Sequence, residues 1–360
     1  MKKTLKIIGI VLLVLVVIVG AYVAYVFADY HRIADRQTLD VASGQTHAAQ
    51  TNTPYQLVSW NIGFGAYEDD YSFFMDGGSQ SWAWSKERLN ENLQDIAEIV
   101  QALSPDLYLL QEVDYNSTRT YHVDEADYLR NFGTAASCDS VYAVNYDSPF
   151  LFYPLTQPHG ASRSGMLTVS SLTIDSALRR SLPVETGFTK LLDLDRCYSV
   201  SRIPVENGKT LCLYNFHLSA YTSDGKIADE QLEMLLADMQ AEYDAGNYVV
   251  GGGDFNKDLL GDSGAWFGVS TGDYTWAQPI KTELFENRNL HLVAPLDEEN
   301  PVPSCRNADA PYGTDGQLLL TVDGFIVSDN VTVSAANVYE MGFACSDHQP
   351  VLMTFSLNAA

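Results

Sequence analysis

The 360-residue chain has 46 acidic and 21 basic side chains, for a formal charge of −25. A surface that acidic repels polyanions unless a local basic groove or bound metal ions intervene, and the sequence has no cluster of lysines and arginines, so duplex nucleic acid is disfavoured as a partner. Five scattered cysteines (Cys138, Cys197, Cys212, Cys305, Cys345) show no Cys-x-x-Cys spacing. They argue against a structural zinc site and a disulfide-built fold, and leave room for one bridge.

Lys2, Lys3 and Lys6 precede an uncharged apolar stretch, residues 7–27. About 20 such residues suffice to cross a bilayer as a helix. A cleaved secretory signal is the rival reading, with Ala21, Ala24 and Ala28 as small residues near a cleavage point, but its apolar region would be shorter. The lysines put residues 1–6 in the cytoplasm and all that follows residue 27 outside, as a single-pass protein of the cell membrane. Residues 28–54 are small, polar and aperiodic and read as a flexible tether. Such a tether would span roughly 30 Å.

The domain is expected over residues 55–358. It opens with a strand at 55–60 that ends on Asn61, followed by a loop rich in glycine and aromatics. Leu89, Leu93, Ile96, Val100 and Leu103 then repeat at helical spacing, and Ser104-Pro105 stops the helix. A strand at 107–110 leads to Gln111-Glu112. Residues 115–160 read as loop-rich, punctuated by Pro149, Pro154 and Pro158. Strand-like runs recur at 166–169 and 211–216, the second ending on His217. Ala228, Leu232, Leu235, Met239 and Tyr243 mark a second helix. A short apolar run then enters Gly252-Gly253-Asp254-Phe255-Asn256. The last strands are read at 318–322, 325–327 and 351–355, the final one preceded by Ser346-Asp347-His348-Gln349-Pro350. Strands alternating with fewer helices around one large core predict an α/β sandwich.

Asn61, Glu112, His217, Asp254 with Asn256, Asp323, and Asp347 with His348 all fall at strand ends. Singly, each is an ordinary turn or edge residue. Together they make an oxygen-rich set with two imidazoles, which suits Mg²⁺, Mn²⁺ or Ca²⁺ better than zinc.

In order, the motifs Ser59-Trp60-Asn61-Ile62, Leu110-Gln111-Glu112-Val113, Asn215-Phe216-His217-Leu218, Gly253-Asp254-Phe255-Asn256, Val322-Asp323-Gly324-Phe325 and Ser346-Asp347-His348-Gln349-Pro350 resemble those of the endonuclease/exonuclease/phosphatase superfamily. The resemblance spans residues 55–358. It implies a four-layer α/β sandwich, two mixed β-sheets flanked by helices, here preceded by one N-terminal transmembrane helix. It also implies Glu112 as the principal ligand of Mg²⁺ (or Mn²⁺), with Asn61 and Asp347 beside it. His348 would be the general base or proton relay, oriented by Asp323. His217 would bond a phosphate oxygen, Asp254 would align or deprotonate water, and Asn256 would meet the pentavalent phosphorus. Whether Asp254 or His348 is the base stays open.

One departure stands out. The Ser-Arg pair that many members carry after the central strand is absent from Val169-Ser170-Ser171-Leu172, leaving Arg163 and Arg306 as candidates to bind substrate. The resulting expectation is a monomeric, membrane-anchored extracellular phosphoesterase acting on a small or lipid-linked phosphate ester. An extracellular nuclease of the same fold is the alternative. The complete polar set disfavours an inactive binding module.

Overall fold

The computed structural model describes residues 2–184, 195–220, 226–270 and 278–359. In chain order the strands are β1 (Gln37–Leu39), β2 (Val41–Ala42), β3 (Pro54–Asn61), β4 (Leu107–Asp114), β5 (Asp139–Asp147), β6 (Arg163–Ser170), β7 (Ser176–Ser181), β8 (Cys197–Pro204), β9 (Thr210–His217), β10 (Tyr248–Asp254), β11 (Leu290–Val293), β12 (Cys305–Arg306), β13 (Leu319–Leu320), β14 (Asp323–Ser328), β15 (Val331–Val338) and β16 (Val351–Leu357). The α-helices are α1 (Lys2–Asp29), α2 (Lys86–Leu103), α3 (Glu125–Arg130), α4 (Lys226–Asp244) and α5 (Ser263–Phe267).

Two seven-stranded mixed sheets form, in the orders β1-β7-β8-β9-β10-β14-β11 and β15-β16-β3-β4-β6-β5-β2. Their inner faces meet through Leu57, Leu109, Val250, Phe325 and Met353. On the outside of the second sheet, α2 buries Leu89, Leu93 and Ile96 against Trp60 and Leu110. On the outside of the first, α4 buries Leu232, Leu235 and Met239 against Tyr214 and Phe216. The result is the expected four-layer sandwich. Helical spacing puts one apolar stripe on each helix, and that stripe has to find a sheet face. The Ser85 hydroxyl caps α2 by accepting from the Arg88 N–H, and Ser104 ends the helix in a left-handed turn.

The structure differs from the sequence reading in several places. Residues 115–160 hold α3 and β5 as well as loops. The strand read at 318–322 is reduced to the two-residue β13, because the Thr321 and Val322 N–H groups bond the Ser263 and Ser304 hydroxyls and not a neighbouring strand. Residues 28–54, read as a free tether, lie against the domain. β1 pairs with β7, β2 pairs with β5, and Ala49 and Thr51 bridge to Val205 and Leu357. Edge strands offer unpaired N–H and C=O groups, and this polar segment satisfies them without needing an apolar pattern of its own. The helix α1 runs away from the domain with its apolar side chains from Leu5 to Val19 exposed. By length and composition it is able to cross a membrane.

Candidate active site

Asp254 closes β10, and the register chooses its neighbours. His217 of parallel β9 lies on one side and Asp323 of antiparallel β14 on the other. Adjacent strands run about 5 Å apart, so these three residues share one edge of the cleft. His217 Nε2 stands 3.4 Å from Asp254 Oδ2. Gly253 makes the approach possible, since a Cβ there would collide with the Phe216 carbonyl oxygen of β9.

The second sheet supplies the opposite wall. The Asn61 amide donates from Nδ2 to Glu112 Oε1 at 3.2 Å and to Asp254 Oδ2 at 3.1 Å, so it ties the two sheets together. Its Oδ1 accepts the Gly63 N–H at 3.0 Å. Glu112 sits where the β4–β6 register shifts between Leu110 and Val113, with φ of 53°. A left-handed residue other than glycine costs about 1–3 kcal/mol, and a bulge re-aims the side chain it carries. Here the re-aimed side chain is a carboxylate lining the cleft.

His348 enters just before β16, its carbonyl accepting the Trp60 indole N–H at 2.9 Å. Its Nδ1 is 2.8 Å from Asp323 Oδ2, and its Nε2 is 3.8 Å from Asp254 Oδ2. Asp323 Oδ2 also accepts the Ser304 hydroxyl at 2.7 Å. A buried carboxylate that already accepts a hydroxyl also accepts the His348 Nδ1–H, which orients the ring and leaves Nε2 to face Asp254.

The charges are tuned in opposite directions. Burial opposes a proton on His348, but the Asp323 carboxylate foremost, then Cys305 and Asp254, outweigh it and hold the pKa well above that of a free histidine. Burial, with the positive charges of Arg196 and His348, holds His217 neutral. Burial lifts Asp254 to about 7; the His348 charge opposes the shift and Asp323 adds to it. Asp347 is lifted to about 7 as well, chiefly by burial; His348 and Arg306 oppose the rise, and Glu112 and Asp76 add to it. Near neutral pH the protons of Asp254 and Asp347 therefore move at little cost.

Two groups of acids fit a divalent cation. One atom each from Asp254, Asp323 and His348 lie within 4.8 Å of one another. Within that trio Asp323 and His348 are already joined to each other at 2.8 Å. Glu112 and Asp347 line the same cleft, and the charge of the first raises the pKa of the second. A hard cation among their oxygens would relieve that repulsion. The Asn61 oxygen, also expected as a ligand, accepts the Gly63 N–H with one of its two lone pairs. Asn256 donates from Nδ2 to the Leu218 carbonyl at 2.8 Å and lies 3.4 Å from Asp254 Oδ2.

The guanidinium groups of the two arginines expected at the substrate are both held by protein oxygens. Arg163 points outward and binds Asp147 Oδ2 through Nε and Nη2, at 3.1 and 2.9 Å. Alternation along β6 turns its neighbour Ser164 into the cleft instead. Arg306 does line the cleft, but its guanidinium braces loop carbonyls, at 2.9 Å to Glu68 and 3.0 Å to Ala310. It acts on the site through its charge on Asp347.

Sequence reasoning missed Arg119, Asn145, His159 and Ser164, which line the cleft beside Glu112, His217, Asp254 and His348. Arg119 is buried, grips Asp114 through two bonds of 2.9 and 2.8 Å, and stacks 3.7 Å from the centre of the Phe64 ring. Asn145 Nδ2, Ser164 Oγ and His159 Nδ1 are buried with no hydrogen-bond partner among the described residues. Buried polar atoms of this kind are ordinarily met by water or ligand. The alternation around Asn145 was the available signal, but it lies in a stretch read as loop.

Two sheets with a carboxylate-imidazole-amide cleft at one end define a phosphoester-hydrolase fold. The chain belongs to the endonuclease/exonuclease/phosphatase family, whose model matches residues 58–348. Among solved structures it is similar to an endonuclease/exonuclease/phosphatase from Beutenbergia cavernae, with 18% identity and a TM-score of 0.59 over 85% of this chain and 72% of that one. It is also similar to ANGEL2, a 2',3'-cyclic phosphatase, with 16% identity and a TM-score of 0.55 over 91% and 99% of the two chains. A Bacteroides vulgatus member of the family matches at 15% identity and a TM-score of 0.52, over 85% and 100%. At these identities the likeness is one of fold. No curated protein matches the chain.

Proposed function

We propose that the chain is a membrane-anchored phosphoesterase, dependent on Mg²⁺ or Mn²⁺, whose domain lies outside the cell and hydrolyses a small or lipid-borne phosphate ester by in-line attack of water. The observation that carries this reading is the convergence of Asn61, Glu112, His217, Asp254 and His348 on one cleft. A divalent ion held by Glu112 and Asp347 would neutralise charge on the phosphoryl oxygens.

The chain's own residues account for the rest. Asp254 Oδ2 is a buried acceptor with a pKa near neutrality, suited to orient water and take its proton. His348 Nε2, 3.8 Å away, carries a proton that it can pass on as a relay, and Asp323 stabilises and orients the imidazolium. His217, held neutral, offers an N–H toward a phosphoryl oxygen without forming a competing ion pair. Asn256 braces Asp254, through its backbone N–H to Oδ1 at 2.8 Å and its side-chain amide 3.4 Å from Oδ2. The anchor rests on the exposed apolar α1 and on Lys2, Lys3 and Lys6 before its uncharged stretch.

The test is to incubate the full chain in detergent with bis(p-nitrophenyl) phosphate, p-nitrophenyl phosphate and single- and double-stranded DNA, with Mg²⁺, Mn²⁺ or EDTA. Metal-dependent release of nitrophenolate is expected. No release with either metal would overturn the reading, and DNA cleavage far above ester cleavage would replace it with a nuclease.

A further inference from the structure

The loop between β5 and β6 projects an apolar tip. Residues 149–160 contain no Asp, Glu, Lys or Arg, in a chain of charge −25. Phe152, Tyr153 and Leu155 on this tip are 53%, 69% and 83% exposed. The loop is nonetheless well built. Leu151 and Gly160 exchange two backbone hydrogen bonds of 3.0 Å at its base, and the Trp82 indole donates to the Pro158 carbonyl at 2.7 Å. An ordered, uncharged projection with three large side chains in water is costly unless something apolar covers it.

The outer end of α1 touches the same loop. Tyr22 Oη donates to the Phe150 carbonyl and accepts the Phe152 N–H, both at 3.1 Å, and Tyr25 Oη accepts the Phe150 N–H at 3.1 Å. The Tyr22 and Phe152 rings meet edge to face at 5.2 Å. Tyrosines near the end of a spanning helix sit at the level of the lipid headgroups. At 1.5 Å per residue, about 20 residues ending near Ala24 traverse about 30 Å, the thickness of the hydrocarbon core. The loop tip is therefore level with the outer headgroup region. The far side of the same loop reaches the cleft: Tyr153 packs on Phe74 at 5.7 Å, and His159 lines the cleft together with Phe73 and Met75.

Resting on the anchored-phosphoesterase reading above, we infer that Phe152, Tyr153 and Leu155 insert into the outer leaflet beside α1 and hold the cleft at the headgroup plane, so that the substrate is the phosphate ester of a membrane lipid rather than a freely diffusing one. The occupant of the apolar tip is lipid because the spanning helix itself is bonded to the loop. The strap β1–β2, paired onto both sheets, removes the slack that would let the domain swing away.

The experiment uses the full chain in phosphatidylcholine vesicles. Leu155→Trp is compared with the parent by difference fluorescence, with phosphatidylcholine brominated on its acyl chains as quencher. A blue-shifted, quenched difference signal is expected. A difference signal typical of water and untouched by the quencher would overturn the insertion. Substrate class is read with two probes that release the same nitrophenolate: soluble bis(p-nitrophenyl) phosphate and a vesicle-borne phosphatidyl ester of p-nitrophenol. A variant with Phe152→Ser, Tyr153→Ser and Leu155→Ser should lose at least about tenfold on the vesicle-borne ester, since each large apolar group contributes about a factor of ten or more when buried. It should keep its turnover of the soluble ester. Equal effects on both esters, or none on either, would overturn the lipid assignment. Insertion without turnover of either ester by the parent would instead sink the phosphoesterase reading and leave the membrane contact standing.

Discussion

At the scale of single residues, the site depends on partners that hold one another in a defined protonation state. His348 and Asp323 are joined at 2.8 Å in a buried setting and are expected to act as a unit. His348→Ala should lower kcat by about 10²- to 10⁴-fold, the range for general acid–base groups. Asp323→Asn should be milder, and the double variant little worse than His348→Ala alone; fully additive losses in kcat would show two independent roles. Glu112→Gln keeps the shape but removes a charge, so turnover should fall by orders of magnitude and recover in part as Mg²⁺ or Mn²⁺ is raised. Near-parental turnover at low metal would contradict its place at the cation. His159 makes a pH prediction. Burial, with the Arg119 charge adding to it, lowers its pKa to about 3 against an ordinary 6.5. Between those values the unfolded chain binds a proton that the folded one refuses, so stability is full above about 6.5 and falls as pH drops toward about 3. In His159→Gln, thermal melting across that window should depend less on pH than in the parent; identical slopes would rule the residue out as a contributor.

At the scale of elements, a few close approaches fix where the functional side chains stand. Gly253 lets β10 lie against β9, and that contact brings Asp254 to His217. Gly253→Ala should force the two strands apart and lower stability by about 1–3 kcal/mol, the usual cost of overpacking. Ester turnover should fall further than the loss of folded protein explains, which circular dichroism and kcat measured on one preparation would separate. The bulge at Glu112 is a second such device. The alternation of β6, turning Ser164 inward and Arg163 outward, is a third. These details decide which of two neighbours on one strand faces the cleft, and a motif does not carry that information.

At the scale of the whole molecule, residues 30–54 are part of the domain and not a leash. Their strands close one edge of each sheet, and Ile33 N–H and Arg180 bind Asp195 and Asp35 across the join. A fragment beginning at residue 55 should therefore melt at a lower temperature than one beginning at residue 31, because it leaves two sheet edges unpaired. Equal melting temperatures would mean that the strap contributes nothing to the fold. Cells making the full chain should retain it in the membrane fraction, with its domain open to protease added outside. A soluble form starting near residue 29 would mark α1 as a cleaved signal.

Much of this was legible in the chain itself. The spacing of Leu89, Leu93 and Ile96, and of Leu232, Leu235 and Met239, dictated two amphipathic helices, because a 3.6-residue repeat leaves one stripe to bury. The motifs around Asn61, Glu112, His217, Asp254, Asp323 and His348 announced the family and its polar set, since each is local and keeps its order along the chain. The apolar run 7–27 declared a helix able to span a membrane. What the sequence could not carry was anything decided between distant segments. The fates of Arg163 and Arg306, the cleft positions of Arg119, Asn145 and His159, and the pairing of residues 37–42 with β7 and β5 all depend on which groups meet across sheets. A strand edge accepts almost any polar backbone, and a guanidinium binds whatever carbonyl or carboxylate lies nearest. Only the assembled fold determines those partners, because hydrogen bonds and charges act over a few ångströms of space and not over positions in sequence.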